Sequence, residues 1–220
     1  MNPATERRTL AGPAGRIALA LDWPTAPPVG LAFIAHPHPL YGGTMDNKVV
    51  TTLVRAMVSL GWLAVRFNFR GVGDSEGTHD AGRGETEDFL HLVAALPTLP
   101  GVAERLPAGL PLAYAGFSFG SFVVAQAAQA RPPRHLVLVG CAAGKWAMPA
   151  VPADTLVIHG ELDETIPLAD VFDWARPQQL SVTVMPGADH FFHRRLGELR
   201  RLVTLGLRGK DAIDASPASP

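Results

Sequence analysis

The order of apolar and polar positions divides the chain into short apolar runs that alternate with longer amphipathic stretches. RIALALD (16–22) alternates in character, and Gly12-Pro13 just before it allows a hairpin with the preceding segment. VGLAFIA (29–35) is continuously apolar, as a strand buried on both faces must be. Val49, Val50, Leu53, Val54, Met57 and Val58 then repeat at helical spacing, and Gly61 supplies a stop. WLAVRFNF (62–69) reads as the next strand. Phe89, Leu92, Val93 and Leu96 mark another helix, with Glu85, Glu87 and Asp88 near its start, where the helix dipole favours acids.

The alternation continues downstream. PLAYAGF (111–117) predicts a strand and FGSFVVAQAAQA (119–130) a helix. HLVLVG (135–140) and TLVIHG (155–160) predict strands, and Pro167 to Ala175 a short helix. LSVTVMP (180–186) reads as the last strand and 192–208 as the final helix. Residues 1–8 and 209–220 carry no periodic apolar face and are expected to be loose ends of a single domain spanning 1–220. Strands alternating with helices predict an α/β fold, a mostly parallel sheet of about seven or eight strands with helices on both faces. Functional groups in such sheets lie beyond the carboxyl ends of the strands.

Composition narrows the setting. Net charge is −1, which gives no electrostatic footprint for nucleic acid or an anionic membrane. The one cysteine, Cys141, allows no intrachain disulfide and suits a reducing compartment. No stretch approaches the roughly 20 apolar residues that span a bilayer, and the N-terminal segment has no signal-peptide core. A cytoplasmic protein is the expectation.

The pattern G-x-S-x-G occurs twice, at Gly73–Gly77 and at Gly116–Gly120. A nucleophile elbow needs a strand before the serine and a helix after it. Ser118 has both, with Phe117 and Phe119 beside it to help exclude water. Ser75 is followed by a polar, Gly-rich loop and sits between Asp74 and Glu76. Those carboxylates would oppose the negative charge that develops at a tetrahedral intermediate. Ser118 is therefore the candidate nucleophile and Ser75 a decoy.

A serine hydroxyl needs an adjacent base. An acid and then a histidine, each after a later strand, complete the expected order. HGELDETIP (159–167) offers Asp163, with Glu161, Glu164 and Asp170 as alternatives; capping of the helix near Pro167 is the plain structural role for Asp163. PGADHFFH (186–193) offers His190, which is closer to the strand end than His193. The oxyanion donors are expected to be the Phe119 N–H and one N–H from the loop after VGLAFIA. In that loop Pro37 and Pro39 cannot donate, which leaves Leu40 and Tyr41, with Leu40 preferred. His36 and His38, with Asp189, His190 and His193, invite a metal reading. No HExxH or cysteine ligand pair accompanies them, so no metal and no cofactor are expected.

Taken together, HPHPLYGGTMDNKVV, RFNFRGVGDSEG, GFSFGS, HGELDETIPL and PGADHFFH resemble the functional loops of the α/β-hydrolase superfamily. The resemblance is to compact, lidless bacterial members related to dienelactone hydrolases and small carboxylesterases, and it runs from about residue 15 to 207. It implies the α/β-hydrolase fold without a cap domain. It implies a triad of Ser118, Asp163 and His190, oxyanion roles for Leu40 and Phe119, and a structural turn at RFNFRGVGDSEG. Dienelactone hydrolases use a cysteine nucleophile where this chain has Ser118. Between Gly140 and Thr155 there is room for a pocket-lining loop but not a cap, and Trp146, Tyr41 and His38 are candidate pocket walls. The function implied is hydrolysis of a small or extended acyl ester or thioester. A lactone-cleaving or peptidase-like hydrolase and a non-catalytic interaction module are the alternatives. A small-molecule substrate is the expected partner; monomer and homodimer both remain open.

Overall fold

The computed structural model describes residues 5–215. One eight-stranded sheet runs through it in the order β1-β2-β4-β3-β5-β6-β7-β8. The strands are β1 (Thr5–Gly12), β2 (Gly15–Asp22), β3 (Leu31–Ala35), β4 (Leu63–Phe67), β5 (Leu112–Phe117), β6 (His135–Val139), β7 (Leu156–Gly160) and β8 (Val182–Met185). The helices are α1 (Lys48–Ser59), α2 (Arg83–Ala95), α3 (Phe119–Ala130), α4 (Leu168–Ala175) and α5 (Leu196–Ala215). From β3 onward neighbouring strands are parallel, and β2 joins β4 antiparallel. The chain has the α/β-hydrolase fold.

Side-chain alternation along the central strands creates two apolar layers. Phe33, Tyr114, Leu136 and Leu138 face one way and pack with residues of α2, α3 and α4. Ala32, Ile34, Ala115, Val137 and Ile158 face the other way and pack with α1 and α5. Burial on both faces explains why these strands read as unbroken apolar runs. Asn47 caps α1, its carboxamide oxygen accepting from the Val49 N–H at 2.8 Å. β7 follows β6 with no helix between them, so among the described residues no inserted cap covers the carboxyl edge of the sheet there.

Three expectations are corrected. Residues 5–8 are not loose but form the first half of β1, paired residue for residue with β2 from Thr5↔Asp22 to Gly12↔Gly15. Cross-strand and side-chain polar contacts hold them: Thr5 Oγ1 donates to Asp22, Arg7 pairs with Asp46 at 2.9 Å and Glu6 with Arg105 at 2.7 Å. The final helix starts at Leu196, because Phe192 and Arg194 adopt left-handed backbone (φ 53° and 61°) that a helix cannot contain. It then runs on through 209–215. Residues 1–4 and 216–220, also read as loose, lie outside the described residues.

Candidate active site

The turn from β5 into α3 carries Ser118 at φ 55°, ψ −123°, a strained conformation for a residue with a Cβ. The flanking glycines make that turn sterically feasible. A Cβ at Gly116 would lie 2.3 Å from the Gly120 carbonyl oxygen, and one at Gly120 would lie 2.4 Å from that of Ala35. Helix and strand therefore approach at backbone distance. The Ser118 N–H donates to the Val139 carbonyl (2.9 Å), and the Ser121 hydroxyl donates to the Ser118 carbonyl (2.6 Å). Ser121 Oγ also accepts from the Ala142 N–H at 3.0 Å, which ties the loop after β6 to the elbow.

Three distant side chains meet there. His190 Nε2 lies 3.1 Å from Ser118 Oγ, and His190 Nδ1 lies 2.6 Å from Asp163 Oδ2. With Nδ1–H donating to the carboxylate, Nε2 is left to accept from the serine hydroxyl. Asp163 sits in the loop after β7 and is wholly buried on its side chain. Its Oδ1 accepts from the Thr165 and Ile166 N–H groups at 2.9 and 2.8 Å, so the same carboxylate also caps its own loop. Ser118 is 8% and His190 5% exposed, enough contact with solvent to be reached but little else.

Beside Ser118 opens a cleft of about 440 Å³ whose walls include His38, Tyr41, Phe119, Trp146 and Ile166. Trp146 stacks on Phe122 with centroids 5.1 Å apart and meets Phe119 at 4.8 Å. A larger cleft, about 590 Å³, lies near Asp22, Arg66 and Arg200, away from Ser118, and has no histidine in its lining.

A family model described as serine aminopeptidase, S33, matches residues 40–182. The chain belongs to this family of hydrolases. A protein of Rickettsia prowazekii is 32% identical over 207 residues, 87% of this chain and 84% of that protein. A lidless α/β serine hydrolase from Xanthomonas campestris is similar in structure, with a TM-score of 0.86 and 37% identity over 100% of this chain and 99% of that one. An α/β serine hydrolase homologue from Coxiella burnetii follows at TM-score 0.80 and 36% identity, covering 92% and 97%. The chain is thus a hydrolase of the α/β superfamily with lidless neighbours. Among the described residues no helix is long and apolar enough to cross a membrane.

Within this S33-family frame the remaining sequence candidates separate. Ser75 is enclosed: its hydroxyl donates to the Asn68 carbonyl (2.8 Å) and accepts from the Ala18 N–H (2.9 Å). It pins the turn after β4 onto β2. Ser75→Ala leaves a buried N–H without a partner and should cost about 1–3 kcal/mol in urea unfolding. It should leave hydrolase turnover of the folded protein at the parental level. Glu161 accepts from the Gly187 N–H, and neither Glu164 nor Asp170 reaches His190. His193 pairs with Asp189 at the surface (2.6 Å) and stays out of the Ser118–His190–Asp163 cluster. His36 is buried between the Phe69 N–H, which donates to Nε2 at 3.0 Å, and the Pro37 carbonyl, which accepts from Nδ1 at 2.6 Å. Burial pushes its pKa down to about 4, so it is a neutral strut. Among the described residues no three His, Cys, Asp or Glu side chains gather to hold a metal. Burial pushes the Cys141 thiol up to about 12, in keeping with a packing role.

The loop after β3 differs from the expectation for Leu40 and Tyr41. It folds into a short 3-10 turn, Pro39–Tyr41, capped by His38. The Leu40 N–H is taken by His38 Nδ1 (3.2 Å) and the Tyr41 N–H by the His38 carbonyl (3.2 Å). Both are therefore engaged inside the turn, and the two side chains are 69% and 88% exposed. The His38 N–H, by contrast, has no protein acceptor among the described residues. His159 is a site residue that the sequence reading missed. It lies at the end of β7, its Nε2 donating to the Ile166 carbonyl (2.9 Å) and lying 3.3 Å from Asp163 Oδ2. Its signal was a histidine at a strand terminus, four residues before the acid.

Proposed function

We propose that this hydrolase cleaves carboxylic esters or thioesters of small acyl groups through an acyl-enzyme on Ser118. The observation that carries the reading is the hydrogen-bonded line Ser118–His190–Asp163, with heavy-atom distances of 3.1 and 2.6 Å. In the first step His190 Nε2 takes the Ser118 proton as Oγ bonds to the acyl carbon. Asp163 remains ionised and stabilises the imidazolium, while its hold on Nδ1–H fixes the ring. The tetrahedral intermediate collapses as the leaving alcohol or thiol takes the proton from Nε2. Water then gives its proton to His190, adds to the acyl carbon, and frees Ser118 with release of the acid.

Developing oxyanion charge needs two donors. The Phe119 N–H, at the start of α3 where a helix leaves its first amides unpaired, supplies one. For the second, the free N–H of His38 replaces Leu40, whose N–H is engaged and which does not line the cleft. The uncovered cleft suits small or extended acyl groups, and one buried cysteine suits the cytoplasm. The family description names an aminopeptidase, so aminoacyl p-nitroanilides belong beside p-nitrophenyl esters in the substrate panel.

The test is labelling with a fluorophosphonate probe. Labelling should map to Ser118, vanish in Ser118→Ala and weaken in His190→Ala. Folded protein that resists the probe would support a non-catalytic module instead.

A further inference from the structure

The imidazole of His38 has an orientation set by its own turn. Leu40 N–H donates to Nδ1, so Nδ1 carries the lone pair and the neutral ring carries its proton on Nε2. The ring is held on several sides, with Tyr41 at 4.8 Å, His79 at 4.9 Å, Phe119 at 4.9 Å and Trp146 at 5.7 Å between centroids. Nε2 has no protein partner among the described residues, yet it is not sealed off from solvent. The residue shares the cleft with Ser118 and Phe119. An unpartnered N–H donor thus stands on a cleft whose walls mix the aromatic rings of Tyr41, Phe119 and Trp146 with the polar side chains of Lys145, Glu164 and Thr165. Burial, with the neighbouring His79 second, holds the His38 pKa below the usual imidazole value. The ring is accordingly neutral at pH 7, and Nε2–H remains a donor while Nδ1 keeps its cap.

From this geometry we infer that His38 is a substrate-contacting specificity residue, whose Nε2–H donates to an oxygen carried on the acyl chain. The preferred substrates are then hydroxyacyl or oxoacyl esters rather than plain alkanoyl ones. The inference rests on Ser118 being the nucleophile of this same cleft. An oxygen on the acyl chain would give that donor a fixed acceptor in place of water, a gain that an unsubstituted chain of similar shape does not make.

Two isosteres separate the cap from the donor. In His38→Asn the carboxamide oxygen can take the place of Nδ1 and keep the Leu40 N–H, but nothing reaches the position of Nε2. In His38→Gln the carboxamide nitrogen can reach that position. The experiment compares kcat/KM for p-nitrophenyl butyrate with the 2-hydroxy, 3-hydroxy and 3-oxo analogues in the parent and both variants. The parent should favour at least one oxygenated ester by about tenfold, the factor one net hydrogen bond supplies. That ratio should fall to near one in His38→Asn and be retained in larger part in His38→Gln. A parent that hydrolyses all four esters alike overturns the inference, as does a ratio unchanged in His38→Asn. Failure of the Ser118 reading looks different: no serine-probe labelling and no turnover of any ester.

Discussion

Ser118→Ala should lower kcat for p-nitrophenyl acetate by about 10⁶, with the protein still folded. In the proposed mechanism the hydroxyl forms the acyl-enzyme, and alanine removes it without disturbing the hydrogen bond from the backbone N–H to the Val139 carbonyl. His190→Ala should cost nearly as much, and the double variant no more than either single one, because base and nucleophile act as a unit. Asp163→Asn should cost about 10⁴. Asparagine can keep the Thr165 and Ile166 N–H bonds through its oxygen, so the loop survives. Its NH₂ group, however, cannot accept from His190 Nδ1–H, and the imidazole is pushed toward the tautomer that no longer accepts from Ser118. Stopped-flow or long-time ester assays on each variant, with circular dichroism to establish folding, measure these ratios. Additive losses in the double variant would show that Ser118 and His190 do not share one proton transfer.

How much of this was readable from the chain alone depends on the physics behind each feature. Strands β3, β5 and β6 announce themselves because both of their faces are buried, so their residues are apolar without interruption. The clustering of Ser118, Asp163 and His190 follows from order: each stands just past the carboxyl end of a parallel strand, and the sheet converts sequence order into proximity. Ser75 could be set aside for the same reason, since no helix follows it. What stayed hidden depends on local hydrogen-bond competition. The Leu40 N–H, preferred over Tyr41 as a donor, is engaged because the His38 ring caps it, a side-chain conformation that no apolar pattern encodes. The start of β1 was missed because the consecutive residues Arg7, Arg8 and Thr9 are polar and exposed, so this edge strand shows no apolar alternation there. The late start of α5 rests on positive φ at Phe192 and Arg194, which neither residue type signals.

Gly120→Ala should do the reverse of what helix propensity predicts. In α3, alanine for glycine would ordinarily stabilise by about 0.8–1.0 kcal/mol. Here the new methyl would sit 2.4 Å from the Ala35 oxygen and 2.6 Å from the His36 oxygen, both backbone atoms of the strand end that leads into the His38 turn. Neither can swing aside as a side chain would. The elbow must therefore lift away from β3, at a cost of about 2–3 kcal/mol in chemical unfolding. The same displacement separates the Phe119 N–H from the His38 N–H, which by the proposed mechanism must converge on one oxygen. A misplacement of this order should lower kcat/KM by about 10². Gly209→Ala is the matched control, since its methyl meets no atom within 4 Å and α5 should simply gain stability of about 0.8–1.0 kcal/mol. Gly120→Ala that unfolds later than the parent, or that turns over substrate at the parental rate, would mean that close packing of elbow against strand is not what sets the oxyanion geometry.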